Sequence, residues 1–202
     1  MLTSDTITLG KITYPYVIWD NYFSENELSN IEQYCCSAGT KPSEVINFDG
    51  TDAIRNLRKS KNEFHYRNNE NQIFFDKLLE FANFINNKFY GYNLLGFDFF
   101  QYSEYDEIGS HYDYHIDMIL GNGVPDNMHF PRKLSFSLIL SDEKSFDGGE
   151  FEIKVDSELP IKVEQRRGRI IAFPSFLMHR VAPLKSGCRK SIVFWATGPK
   201  FK

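Results

Sequence analysis

The densest run of coordinating side chains is Gly109-Ser110-His111-Tyr112-Asp113-Tyr114-His115-Ile116-Asp117. On an extended strand, residues two apart project to the same face, so a His-x-Asp pair aims an imidazole and a carboxylate at one point. One more histidine from elsewhere would complete two nitrogens and one oxygen on one side of a metal ion. Three adjacent octahedral positions then stay open, the arrangement that oxygen-activating non-haem iron uses. Two pairs fit the pattern, His111-x-Asp113 and His115-x-Asp117, and alternation would set all four side chains on one face. His115 and Asp117 lie deeper, just before the apolar pair Ile119-Leu120.

Three other histidines could close the set. His65 sits in a polar stretch and His129 lies close to Pro131, so both read as surface or structural groups. His179 follows the strand-like run Ile170 to Phe173 and precedes the turn Pro183-Leu184-Lys185-Ser186-Gly187. A hairpin centred near Lys185 would set His179 opposite Ser191, with Arg189 on the same face. An arginine beside a metal inside a sandwich is costly without an anion. A dicarboxylate that chelates the metal at one end supplies that anion. Its far carboxylate takes two parallel hydrogen bonds from the guanidinium, and Ser191 adds another.

These groups need a scaffold, and the pattern changes along the chain to provide one. Ser24-Glu25-Asn26-Glu27 has capping-box form, with Leu28, Ile31 and Tyr34 following at helical spacing. A second helix is expected from about Asn69 to Lys88, its apolar stripe made by Ile73, Phe74, Leu78, Phe81, Phe84 and Ile85. Residues 40–68 read as a loop with one strand, Glu63 to Tyr66. Beyond Leu94 the period becomes two. Leu134 to Leu140, Glu150 to Ile153, Arg169 to Phe173 and Ser191 to Trp195 read as strands separated by turns. Helices first and strands later give an α+β chain with helices packed on an antiparallel sandwich.

Composition sets the limits. The 202 residues are 42% hydrophobic and 16% aromatic, with 19 Phe and 11 Tyr, which suits a single globular domain with a real core. Twenty-three basic against 27 acidic residues leave a charge of −4, offering nothing general to nucleic acid or anionic lipid. No apolar run approaches the ~18 residues of a membrane span. The start MLTSDTITLG lacks secretory character, and three cysteines, two adjacent, read as free thiols. A cytoplasmic protein is expected.

The run Gly109-x-His111-Tyr112-x-x-His115-x-Asp117 resembles the Gly-x-x-Tyr-x-x-His-x-Asp pattern of the Fe(II)/2-oxoglutarate-dependent dioxygenases, in their prolyl 4-hydroxylase-like branch. That alignment selects His115 and Asp117 over His111 and Asp113. Phe146-Asp147-Gly148-Gly149-Glu150-Phe151 resembles the family's Gly-Gly-Glu turn and strand. Phe173-Pro174-Ser175, His179, Arg189-x-Ser191 and Phe194-Trp195 are similar to its closing strands, with the ten-residue step from His179 to Arg189 that this branch uses. The resemblance covers about Leu95 to Pro199. It implies a double-stranded β-helix (jelly-roll) core over 94–200, supported by helices and loops from 1–93. It also implies Fe(II) held by His115, Asp117 and His179, with 2-oxoglutarate held by Arg189, Ser191 and Tyr105 (Tyr102 in reserve). O2 is the co-reactant and ascorbate a candidate reductant. The reaction implied is hydroxylation of a C–H bond with release of succinate and CO2. A carboxylate at position 117 fills the place a halide needs in related halogenases, which favours hydroxylation.

The expected substrate is a prolyl or other residue of a peptide, with a free amino acid or small metabolite as alternatives. Loop 40–68 and segment Gly121 to Pro131 would border the mouth. Arg55, Arg58 and Lys59 there read as a solvated basic stretch that could favour an acidic group. Nucleobase demethylation expects a second arginine six residues after the first, where this chain has Trp195. A non-catalytic metal- or sugar-binding jelly roll would not need Arg189 and Ser191. A zinc hydrolase would need a general base, which Asp113 or Glu104 supplies only loosely.

Overall fold

The computed structural model of the chain describes residues 14–43, 57–118, 130–155 and 159–200. The first half contains β1 (Val17–Trp19), α1 (Glu25–Ala38), β2 (Lys41–Pro42), β3 (Arg58–Lys59), β4 (Lys61–Tyr66) and α2 (Gln72–Ile85). Then come β5 (Phe99–Tyr105), β6 (His111–His115), β7 (Arg132–Ile139), β8 (Phe146–Gly148) and β9 (Phe151–Lys154). The chain closes with β10 (Ile161–Val163), β11 (Ile170–Pro174), β12 (Met178–Val181), β13 (Leu184–Gly187) and β14 (Arg189–Thr197). Among the described residues, seven strands pair in the order β1-β11-β7-β14-β5-β4-β2 and five in the order β10-β9-β12-β6-β3. β13 pairs with β8 as a short third ladder. The two larger sheets face each other as a double-stranded β-helix.

Side-chain alternation on the large sheet divides the molecule into two interiors. Phe100, Tyr102, Leu134, Phe136, Leu138, Ile192, Phe194 and Ala196 point outward, onto the helices. Leu28, Ile31 and Cys35 of α1 meet them, with Phe75, Leu78, Phe81, Ala82 and Ile85 of α2. Phe136 and Phe194 stack at 4.5 Å and 6° in the middle of this layer. Burial of each such ring contributes about 1.5–3 kcal/mol. The opposite face carries Gln101, Ser103, Tyr105, Ser137, Arg189, Ser191, Val193 and Trp195 and lines a cavity against the small sheet. No helix of the described residues is long and apolar enough to cross a membrane.

α1 begins as the sequence requires: the Ser24 hydroxyl accepts from the Glu27 N–H, and the Glu27 carboxylate accepts from the Ser24 N–H at 2.8 Å. The second helix departs from expectation. Its buried stripe starts at Phe75, which turns Ile73 (86% exposed) and Phe84 to the far side. Phe84 packs there against Trp19 at 5.0 Å. The helix ends at Ile85 and passes into a π-turn, Asn86–Tyr90, because the Asn86 side chain bonds both the N–H and the carbonyl of Tyr92 at 2.8 Å. Strands also precede both helices: β1 and β4 complete the large sheet, so the expected order of helices first and strands later is corrected. The loop expected at 40–68 holds β2, β3 and β4, while 44–56 lie outside the described residues, as do Arg55, His129 and most of Gly121 to Pro131.

Candidate active site

His115 ends β6, Asp117 follows it, and His179 lies on β12, the neighbouring strand, directly paired with His115. The His115 Nε2 is 3.6 Å from Asp117 Oδ1, and the His179 Nε2 is 3.5 Å from Asp117 Oδ2. All three donor atoms lie within 4.8 Å of one another. Each imidazole is oriented from behind. His115 Nδ1 donates to the Asp113 carbonyl at 2.7 Å and His179 Nδ1 to the Leu177 carbonyl at 2.9 Å. Both Nε2 lone pairs are therefore left facing the carboxylate, the tautomer a metal ligand needs. The Asp117 and Met118 N–H groups both donate to the Ser175 carbonyl at 2.9 Å, fixing the turn that brings the carboxylate inward.

Electrostatics fit the same purpose. Burial, then the nearby His179, pushes His115 down to about 3, keeping it neutral. Burial raises the Asp117 carboxyl, but the two imidazoles, Arg132 and Ser135 outweigh it and hold it below the usual range. Asp117 Oδ2 is buried with no hydrogen-bond partner among the described residues. Two imidazole nitrogens and a buried carboxylate oxygen around one point fit a divalent cation.

Across the cavity, Arg189 is fully buried on β14. Its Nη1 donates to Ser191 Oγ at 3.1 Å and its Nε to Gln165 Oε1 at 3.1 Å, while Nη2 has no partner among the described residues. The Tyr105 ring, from the register partner of Arg189 on β5, lies 5.4 Å from its guanidinium carbon. A buried guanidinium satisfied only by neutral groups fits an anion. Metal-side groups thus come from the small sheet and anion-side groups from the large one, around a cavity of about 190 Å³.

Other candidates fall elsewhere. Tyr102 faces the helices, its hydroxyl 3.3 Å from Cys36 Sγ, and is withdrawn as a cosubstrate contact. His65 is buried on that same side, stacked on Phe100 at 5.0 Å. His111 and Asp113 do not share the face of His115, as alternation suggested. Between the pairs His179↔His115 and Val181↔Tyr112, β6 has one residue more than β12. The bulge brings Tyr112 onto the cavity side, stacked on His115 at 3.5 Å. The Asp113 side chain is left exposed, its carboxylate accepting from the Tyr114 N–H at 2.7 Å. The expected hairpin between His179 and Ser191 is also corrected. β13 pairs with β8 instead, so His179 and Ser191 face each other from different sheets.

Sequence reading missed Arg132, whose guanidinium carbon lies 3.8 Å from the Trp195 ring centre, on the cavity wall. A second bulge explains it: between Ala196↔Leu134 and Thr197↔Arg132 the extra residue Lys133 shifts the alternation. Gln165, from the segment before β11, carried no signal at all.

Comparisons with known proteins concern the family and the fold. Residues 100–197 match the family model of the 2OG-Fe(II) oxygenase superfamily. A PKHD-type hydroxylase of Janthinobacterium sp. (strain Marseille) is 35% identical over 89 residues, 44% of this chain and 39% of that protein. One from Synechococcus sp. (strain CC9311) is 40% identical over 86 residues, 42% of this chain and 35% of its own length. The chain thus spans about two-fifths of the curated relatives it matches. A Pseudomonas putida prolyl-4-hydroxylase superposes with TM-score 0.71 at 15% identity over 97% of each chain. A viral collagen prolyl hydroxylase from Paramecium Bursaria Chlorella virus-1, in its 2OG complex, gives 0.67 at 19% over 92% of this chain and 97% of that one.

Proposed function

We propose that the chain, whose residues 100–197 match the 2OG-Fe(II) oxygenase superfamily, is an oxygenase of its prolyl 4-hydroxylase-like branch that hydroxylates a prolyl or other residue of a peptide. The observation that carries this reading is the fully buried Arg189, with one nitrogen unpaired among the described residues, set across the cavity from His115, Asp117 and His179.

His115, Asp117 and His179 would hold Fe(II), and Arg189, Ser191 and Tyr105 the far carboxylate of 2-oxoglutarate. When bound, the pair would supply O2-dependent oxidative decarboxylation of the keto acid to succinate and CO2, one oxygen atom entering succinate and the other a substrate C–H bond. The chain's own work is placement. The carbonyls of Asp113 and Leu177 keep both imidazoles presenting Nε2. Phe151, Phe173 and Val181 close the cavity around the centre and exclude water.

A peptide substrate is supported by the aromatic residues at the cavity's edge. Phe64 (44% exposed) and Tyr66 (62% exposed) flank Phe99, whose ring meets Trp195 edge-on at 5.9 Å. This aromatic ridge leads outward from the reaction centre, as an extended chain with prolyl rings would require.

The test is Fe(II)-dependent formation of succinate from 2-oxoglutarate by the full chain, followed by mass spectrometry of peptides for a gain of one oxygen. Absence of both 2-oxoglutarate binding and succinate would remove this reading.

A further inference from the structure

The cavity carries more positive charge than its cosubstrate neutralises. Among the described residues its lining includes three guanidinium groups, Arg58, Arg132 and Arg189, against one carboxylate, Asp117, in a chain whose overall charge is −4. Fe(II) and a dianionic keto diacid cancel each other, so loading the centre leaves that surplus in place. Arg189 is taken by the diacid. Arg58 and Arg132 have no carboxylate within ion-pair distance among the described residues.

Arg58 is held firmly. Its Nε donates to Ser60 Oγ at 2.7 Å and its Nη2 to Ser103 Oγ at 3.3 Å, and Gln101 Nε2 braces Ser103 at 2.6 Å. Its guanidinium carbon lies 4.6 Å from the Tyr112 ring centre, and Tyr112 stacks on His115 at 3.5 Å. Guanidinium, phenol and imidazole thus form one continuous stack leading inward to the reaction centre. Nη1 of Arg58 has no partner among the described residues. Arg132 and Tyr112 line the same cavity as Arg58. Two cations lining one cavity repel each other and lose hydration, a cost that an anion between them removes.

We propose that Arg58, together with Arg132 and the Tyr112 hydroxyl, forms a carboxylate-binding subsite, so that the preferred substrate is a peptide with Asp or Glu beside the oxidised residue. The assignment rests on the oxygenase reading above. The two stacking steps, 4.6 and 3.5 Å, span about two residues of extended chain at roughly 3.3 Å each. The acidic residue therefore falls within two positions of the target.

The test uses the full chain loaded with Mn(II) and 2-oxoglutarate and titrated with fluorescent decapeptides. These carry a central proline and Asp, Glu, Asn, Gln or Lys at each of the two positions on either side. Free Asp, Glu and proline form a second arm. Acidic peptides are expected to bind about tenfold or more tightly than their amide counterparts at low salt, the ratio a charge-assisted bond gives. Arg58→Gln should collapse that ratio and Arg58→Lys should keep part of it, both with 2-oxoglutarate affinity unchanged. Equal binding of acid and amide, a ratio that survives in Arg58→Gln, preference confined to free amino acids, or no peptide binding while 2-oxoglutarate binds normally would each overturn the subsite. Failure of the wild-type chain to bind 2-oxoglutarate would overturn the oxygenase reading instead.

Discussion

Gly149 is the surface against which the Arg189 side chain lies: a methyl group there would come within 3.0 Å of Arg189 Cδ and 3.4 Å of Leu184 Cδ1. Gly149 also has φ +65, a backbone state that a side chain strains. Gly149→Ala should cost about 1–2 kcal/mol of stability and weaken 2-oxoglutarate binding by pushing Arg189 aside. Denaturant unfolding and calorimetry with Mn(II) would check both effects. Unchanged affinity would show that Arg189 tolerates the displacement.

Asp117→Ala should abolish Fe(II)-dependent turnover of 2-oxoglutarate, whereas Asp113→Ala should leave most of it. Asp117 is buried between two imidazoles, and the Asp113 side chain is exposed. Equal losses in a succinate assay would refute the assignment of the His-x-Asp pair.

Arg189→Ala should weaken 2-oxoglutarate binding about tenfold or more, the loss of a charged hydrogen-bond donor. Tyr105→Phe should have a smaller effect and Tyr102→Phe none, because Tyr102 faces the helices. Calorimetry across the three variants orders them, and a Tyr102→Phe effect as large as that of Arg189→Ala would contradict the geometry.

Glu27 gives a pH prediction away from the centre. Lys77 at 2.5 Å and the Ser24 cap hold its carboxyl down to about 2, from 4.5. A carboxyl depressed on folding stabilises above its unfolded value and loses that contribution as pH falls through its folded one. Glu27→Gln should therefore lower the melting temperature slightly above pH 4.5. The difference should vanish near pH 2 and shrink with salt, since the pair is partly exposed. A gap that widens on acidification would reverse the sign.

What the sequence made legible was what obeys strict alternation or local chemistry. Ser24 and Glu27 cap a helix through their own backbone, and Leu134, Phe136 and Leu138 lie on one face as a period of two demands. Tyr112 and Arg132 were lost to a single extra residue in each of β6 and β7. Such an insertion exchanges the two faces of a strand without changing composition. Ile73 failed for another reason: α2 presents several apolar faces, and only the sheet beneath selects which one is buried. Gln165 belongs to a connecting segment whose partner, Arg189, lies 24 residues on.

The division of labour between the sheets acts as a caliper. One jaw carries His115 and His179, the other Tyr105, Arg189 and Ser191, and the opening is set by Ile139, Phe151, Ile171 and Phe173 packed between them. On the proposed reading, the length of diacid the chain accepts would then depend on hydrophobic spacers that touch neither end of the molecule being measured.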